Sequence, residues 1–198
     1  MSEISEPSFQ ERLDQRRAEL KAVFLPQLKD RRTLTLEVGA GHGHFLTAYA
    51  TQHPERFCVG IDIMSDRVNR GLRKRDRARL ENLTFIHASA EDLLAVLPEG
   101  VSLDGIFILF PDPWPKRRHW KNRLMQTEFL RVLATRTQPG APLYFRTDYA
   151  PYFEYAREVV ATHSNWKIGS NELWPFEHQT VFQSRAPTYQ SLVAHCVP

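Results

Sequence analysis

The chain of 198 residues is 42% hydrophobic and 25% charged, which fits one globular domain with a single sizeable core and excludes a disordered chain. Two cysteines, Cys58 and Cys196, give neither a disulfide framework nor a CxxC pair, and neither a signal-like core nor an apolar run of membrane-spanning length is present. A reducing, cytoplasmic setting without a membrane partner is expected, and the scattered histidines predict no metal site; the net charge of +3 is small but unevenly distributed.

In chain order, residues 1–8 read as a frayed tail, and 9–24 as an amphipathic helix with Phe9, Leu13, Leu20 and Phe24 near one stripe. Pro26 and Asp30-Arg31-Arg32 are expected to separate this N-terminal helical arm, residues 1–32, from a body spanning 33–198. Strand patterns follow at 34–38, 57–61, 83–87, 103–110 and 142–146, and a strand-like run closes the chain at 189–195. Helical patterns intervene at 43–50, from Ser65 as a plausible N-cap, at 91–97, at about 125–137 before Pro139-Gly140, and at 152–162. The stretch holding Trp166, Trp174-Pro175 and Phe176 reads as irregular. Repeated strand–helix units predict an α/β fold, with a mostly parallel sheet covered on both faces.

The segment Leu36-Glu37-Val38-Gly39-Ala40-Gly41-His42-Gly43 is a strand, a glycine turn and a helix start. Glycines let the backbone approach a ligand closely, and Asp62 ends the next strand, where a carboxylate can hold the hydroxyls of an adenosine ribose. The glycines run G-x-G-x-G and not the dinucleotide G-x-G-x-x-G. Glu37, the carboxylate just before the turn, suits a cation better than a pyrophosphate. These residues together favour S-adenosylmethionine, whose sulfonium and amino groups are positive, over NAD; a capping role for Glu37 is the alternative.

The fourth strand delivers Phe110-Pro111-Asp112-Pro113-Trp114-Pro115-Lys116 to its carboxyl end, followed by Arg117, Arg118, His119, Lys121 and Arg123. Ligands of open α/β sheets bind outside those strand ends. A carboxylate and an indole beside cations suit a planar base attached to phosphates, so the segment points to an enzyme that modifies a nucleic-acid base. A second basic stretch holds Arg67, Arg70, Arg73, Lys74, Arg75, Arg77 and Arg79 against Asp76 alone. It reads either as a polyanion footprint or as a solvated helix face.

From about Leu34 to the C-terminus the chain resembles the bacterial tRNA (guanine-N7)-methyltransferases. The resemblance is carried by the segment from Phe110 to Lys116 with Arg118-His119, by Arg146-Thr147-Asp148-Tyr149, and by Thr180-Val181-Phe182-Gln183. It implies a class I Rossmann-like methyltransferase fold, with a seven-stranded, mostly parallel sheet whose last strand is antiparallel, and methylation of guanine in the tRNA variable loop. It also implies roles: Glu37, Gly39, Gly41, Gly43, Asp62, Ser89 and Asp112 around S-adenosylmethionine, Asp112 as catalytic acid, and Lys116, Arg118, Asp148, Thr180, Phe182 and Gln183 toward the tRNA. Ser89 stands where the family often has Asp or Asn, and Gln183 where it usually has Glu.

Guanine N7 attacks through an in-plane lone pair and has no proton to lose, so no strong general base is required. Alignment and stabilisation of the charge that moves onto the purine are required instead, and Asp112 and Asp148 are the candidates, with Lys116 toward phosphate or O6. Simpler readings are a turn cap for Asp112, a helix N-cap for Asp148 and a core anchor for Trp114. Rival functions are an amino-methyltransferase on another base or a protein amide, and an RNA-binding protein with a weakened methyltransferase fold. The N-terminal arm caps the core or folds onto RNA.

Overall fold

Strand and helix alternate along the computed structural model, which describes residues 7–170, 172, 174–178 and 188–198. Helix α1 (Phe9–Leu28) precedes β1 (Thr33–Val38), α2 (His44–Gln52), β2 (Cys58–Asp62), α3 (Ser65–Ala78), β3 (Leu83–His87) and α4 (Ala90–Val96). Then come β4 (Ser102–Leu109), a 3-10 helix (Arg117–Asn122), α5 (Thr127–Ala134), β5 (Pro142–Thr147), α6 (Ala150–Ala161), β6 (Trp166–Ile168) and β7 (Gln190–Cys196). Among the described residues the strands form one seven-stranded sheet ordered β3-β2-β1-β4-β5-β7-β6. Strands β1 to β5 are parallel, with Leu36 opposite both Val59 and Ile106, while β7 runs antiparallel to β5 and β6.

The central strands are buried on both faces because helices cover both. On one face Phe24, Leu93, Leu130 and Val160, from α1, α4, α5 and α6, pack with Leu36, Ile106 and Phe145. On the other, Phe45, Leu46 and Val68 of α2 and α3 pack with Phe85 and Phe107. The chain builds β1, β2 and β3 outward and then returns to place β4 on the other side of β1. That reversal opens a crevice beyond the carboxyl ends of β1 and β4.

Several expectations are revised locally. Helix α1 runs through Pro26, which falls in its last turn, and buries Leu20, Phe24 and Leu28 in the core, so the chain packs against the sheet before and after that proline. Ser8 and Glu11 close a capping box at its start, at 3.2 and 2.7 Å. Met64, and not Ser65, is the N-cap of α3, and no side chain caps that helix. Strand β6 lies within the stretch read as irregular; buried Trp166 anchors it by donating Nε1–H to the Leu130 carbonyl at 2.9 Å. No helix among the described residues is long and apolar enough to cross a membrane.

Candidate active site

The crevice holds a cavity of ≈ 390 Å³ whose lining comes from the ends of β1, β2 and β4, the N-terminus of α4 and the loop after β4. A volume of this size falls in the range of small-molecule sites. Glu37, Gly39, Gly41, Asp62, Ser89 and Asp112 line it together. Gly39 sits at φ 74°, in the left-handed region, and a Cβ there would meet nothing within 4 Å, so the turn leaves open space where a ligand can rest against backbone. Gly43, at φ 72°, does not line the cavity; a Cβ there would meet the Phe85 ring at 2.5 Å, so its place is in packing α2 onto the sheet.

Glu37 is 3% exposed, and among the described residues its Oε2 has no hydrogen-bond partner. Burial pushes its carboxyl up to about 8, against a hydrogen bond from the backbone of Leu46 and with a further upward contribution from neighbouring Asp62. A buried acid with a free oxygen on a cavity wall is a receptor for a cation or a hydrogen-bond donor. Asp62 is also buried, and its oxygens accept backbone N–H groups of Gly41 at 3.0 Å and Met64 at 2.9 Å. One carboxylate thus fixes the glycine turn to the end of β2, and its further lone pairs remain for ligand hydroxyls. Ser89 caps α4, its Oγ accepting from Asp92 N–H at 3.1 Å while its hydroxyl donates to the Asp92 carboxylate, which leaves one oxygen lone pair for a ligand donor.

The loop after β4 carries two aromatic residues in the left-handed region, Phe110 at φ 50° and Trp114 at φ 44°. Such conformations cost about 1–3 kcal/mol each and persist where the surroundings over-determine them. Here Phe110 N–H donates to the Arg146 carbonyl at 2.7 Å, and Arg123 Nε donates to the Pro113 carbonyl at 2.9 Å. Arg123, read from sequence as part of a basic surface strip, is instead 2% exposed. Its guanidinium lies 4.4 Å from the Trp120 ring centroid, 4.9 Å from Tyr152 and 5.1 Å from Tyr155. Its sequence neighbours, Asn122 and Leu124, give no sign that it is enclosed. Between the two strained aromatics, Asp112 is exposed on the cavity wall, and among the described residues its side chain makes no hydrogen bond or ion pair. Trp114 is half-buried, lines the same cavity and meets His119 edge-on at 5.7 Å.

Lys116 and Arg118 are exposed beside this loop, outside the cavity lining. Asp148 is exposed too, and it does not cap α6, whose N-cap is Tyr149. The pairing of Leu109 with Arg146 sets the loops of Asp112 and Asp148 side by side at adjacent strand ends. Thr180, Phe182 and Gln183 lie outside the described residues. Arg146, quoted in the sequence only as part of a motif, turns out to organise this edge. It is 4% exposed, binds Glu177 through both terminal nitrogens at 3.0 and 2.8 Å and Ser191 Oγ at 2.9 Å, and stacks on Trp174 at 3.8 Å.

A family model described as "Putative methyltransferase" matches residues 31–191. Proteins named "tRNA (guanine-N(7)-)-methyltransferase" are similar to the chain: the one from Magnetococcus marinus is 38% identical over 71% of this chain and 55% of its own length. The one from Syntrophotalea carbinolica is 37% identical over 87% of this chain and 72% of its own length. The first relatives matched are spanned for only somewhat more than half of their length, 53% to 58%. Among solved structures, the 16S rRNA methyltransferase KamB superposes with a TM-score of 0.64 at 20% identity, covering 89% of this chain and 94% of that one. The aminoglycoside resistance methyltransferase NpmB1 gives 0.61 at 18%, covering 89% and 93%. At such identities these two show the class I methyltransferase fold alone. The match over most of the chain is with the sequence relatives, and the chain belongs to the tRNA (guanine-N7)-methyltransferase family.

Proposed function

We propose that the chain binds S-adenosylmethionine in the cavity and methylates guanine at N7 in tRNA, in the variable loop as its family resemblance implies. The observation that carries this reading is the convergence on one cavity of an orphaned buried carboxyl, Glu37, an open glycine turn, and Asp112 held between strained aromatics. The residues fit the cofactor: Glu37 offers its unpartnered oxygen to a cationic group, the Gly39 backbone admits close approach, and Asp62 and Ser89 offer hydrogen-bonding capacity to the nucleoside part. Bound there, S-adenosylmethionine supplies a methyl group on a positively charged sulfur.

The protein's own contribution is orientation and charge. Asp112 accepts hydrogen bonds from the donor edge of guanine and stabilises positive charge arriving on the purine. Trp114 offers an aromatic face or edge to the base from the same wall. Asp148 stands at the adjacent strand end to assist in holding guanine, and Lys116 and Arg118 bind phosphate at the rim. Thr180, Phe182 and Gln183 complete the tRNA side. N7 carries no proton, so this chemistry needs no residue poised as a strong base.

The reading is tested by incubating the protein with S-adenosylmethionine labelled in the methyl group and an unmodified tRNA transcript. Label incorporated into the RNA supports it. Cofactor binding without transfer to any tRNA turns the reading toward an RNA-binding protein on a methyltransferase fold, the second reading that Ser89 and Gln183 motivate.

A further inference from the structure

Helix α3 leaves the end of β2 directly beside the cavity, and Arg67 in its first turn lines that cavity. Arg67, Arg70, Lys74 and Arg77 follow at helical spacings of three, four and three, so they stand in one row, with Arg73 beside it. Val68 and Gly71 are the residues of this helix buried against the sheet. The row extends ~15 Å from the cavity at 1.5 Å per residue. Nearby acids are few and already engaged: Asp62 faces Arg67 at 3.6 Å, Asp66 pairs with Arg70 at 3.0 Å, and Asp76 pairs with Arg75 at 2.6 Å.

Among the described residues, Arg73, Lys74 and Arg77 make no hydrogen bond or ion pair. Like charges one helical turn apart destabilise a helix by a few tenths of a kcal/mol per pair. A solvated face normally alternates charge and avoids that cost. Here the repulsion is kept, and its effect is visible in Lys74, whose ammonium is held below its ordinary value by partial burial and by Arg70, Arg77 and Arg73. His42 in the glycine turn and His44 at the start of α2 are lowered as well, by partial burial first and then by cations of this row, Arg70, Lys74 and Arg67 for His42 and Lys74 for His44. A row of cations that begins at a ligand cavity, and whose outer members Arg73, Lys74 and Arg77 have no acidic partner among the described residues, is matched to a chain of phosphates.

We propose that this row is a second phosphate-binding surface, which grips the backbone of the same RNA whose guanine enters the cavity. The inference rests on the tRNA reading above. Strand order puts the two basic surfaces on opposite sides of the site: α3 follows β2, on one flank of β1, and Lys116 and Arg118 follow β4, on the other. The backbone is therefore held on both sides of the flipped or exposed base.

The test is the salt dependence of tRNA binding by the full chain and by a triple variant, Arg73→Ala, Lys74→Ala and Arg77→Ala, none of which lines the cavity. Loss of about three phosphate contacts makes the slope of log affinity on log salt shallower by about 2. Affinity for S-adenosylmethionine, measured calorimetrically on the same preparations, stays unchanged and shows that the variant is folded. An unchanged slope, with tRNA still bound by both proteins, overturns the α3 surface and leaves the tRNA reading intact. Failure of the unsubstituted protein to bind tRNA at all overturns both.

Discussion

Arg123 donates its Nε–H to the Pro113 carbonyl at 2.9 Å, and through this bond a buried cation holds the loop that presents Asp112. Among the described residues no carboxylate pairs with the guanidinium; three aromatic rings surround it, and both terminal nitrogens are buried without a hydrogen bond. The loop conformation, with Phe110 and Trp114 in the left-handed region, depends on such external restraint.

Replacing Arg123 by Ala removes the bond and the packing of its stem, and stability should fall by about 1–3 kcal/mol. Turnover should fall further than cofactor affinity, because Asp112 and Trp114 lose their placement while the glycine turn is untouched. Urea unfolding together with kcat and cofactor titration checks this. A variant with normal stability and normal kcat would show that the loop holds its shape without Arg123.

Asp112→Asn keeps the size of the side chain and removes its charge. A loss of about 100-fold or more in kcat is expected, in line with removal of one electrostatic contact at a reacting centre. Cofactor affinity should change by less than about tenfold, a difference of under ~1.4 kcal/mol. Equal losses in both would assign Asp112 to cofactor binding instead of to the base.

Glu37 makes stability depend on pH. Its folded-state value, about 8, lies above the ordinary 4.5. Its contribution is therefore fully present below pH about 4.5 and is lost as pH rises through about 8. Glu37→Gln should raise the ligand-free Tm relative to the unsubstituted protein at pH 9, with little difference at pH 4.5, while weakening S-adenosylmethionine binding. Thermal unfolding across this range reads the effect, and a Tm difference independent of pH would contradict the burial of an unpartnered acid.

Asp92 behaves in the opposite sense. It is buried, and burial alone would raise its carboxyl, but hydrogen bonds from Arg16, Arg17 and Ser89 outweigh that and hold it below its ordinary value. The stabilisation is present above about pH 4, the unfolded value, and disappears as pH falls through the lowered folded value. Asp92→Asn should cost about 1–2 kcal/mol at neutral pH, discounted because Arg16 is largely exposed, and almost nothing at pH 2. It should also loosen α1, seen as faster proteolysis between Phe9 and Leu28.

The βα alternation was legible in the sequence because short runs rich in Leu, Ile, Val and Phe recur between helix-length segments. Glu37, Asp62 and Asp112 were legible as cavity residues because each sits at a strand end, where topology brings distant segments together. Gly43 was grouped with them as part of the glycine turn that the family resemblance carries, although a Cβ there would meet Phe85, a neighbour far along the chain. Strand β6 was missed since Trp166, Lys167 and Ile168 are too few to show a period and are fixed by the antiparallel partner β7. The enclosure of Arg123 and Arg146 depends on Tyr152, Trp174 and Glu177, tertiary neighbours that no local pattern announces.

The position of the transferred methyl group tests the central claim most directly. Unmodified tRNA is treated with the protein and S-adenosylmethionine, and the RNA is then cleaved by chemistry specific for N7-methylated guanine and read at single-nucleotide resolution. Cleavage at one guanine of the variable loop, abolished by Asp112→Asn, is the predicted result. Methyl incorporation with no such cleavage would contradict the account and place the reaction on a different atom.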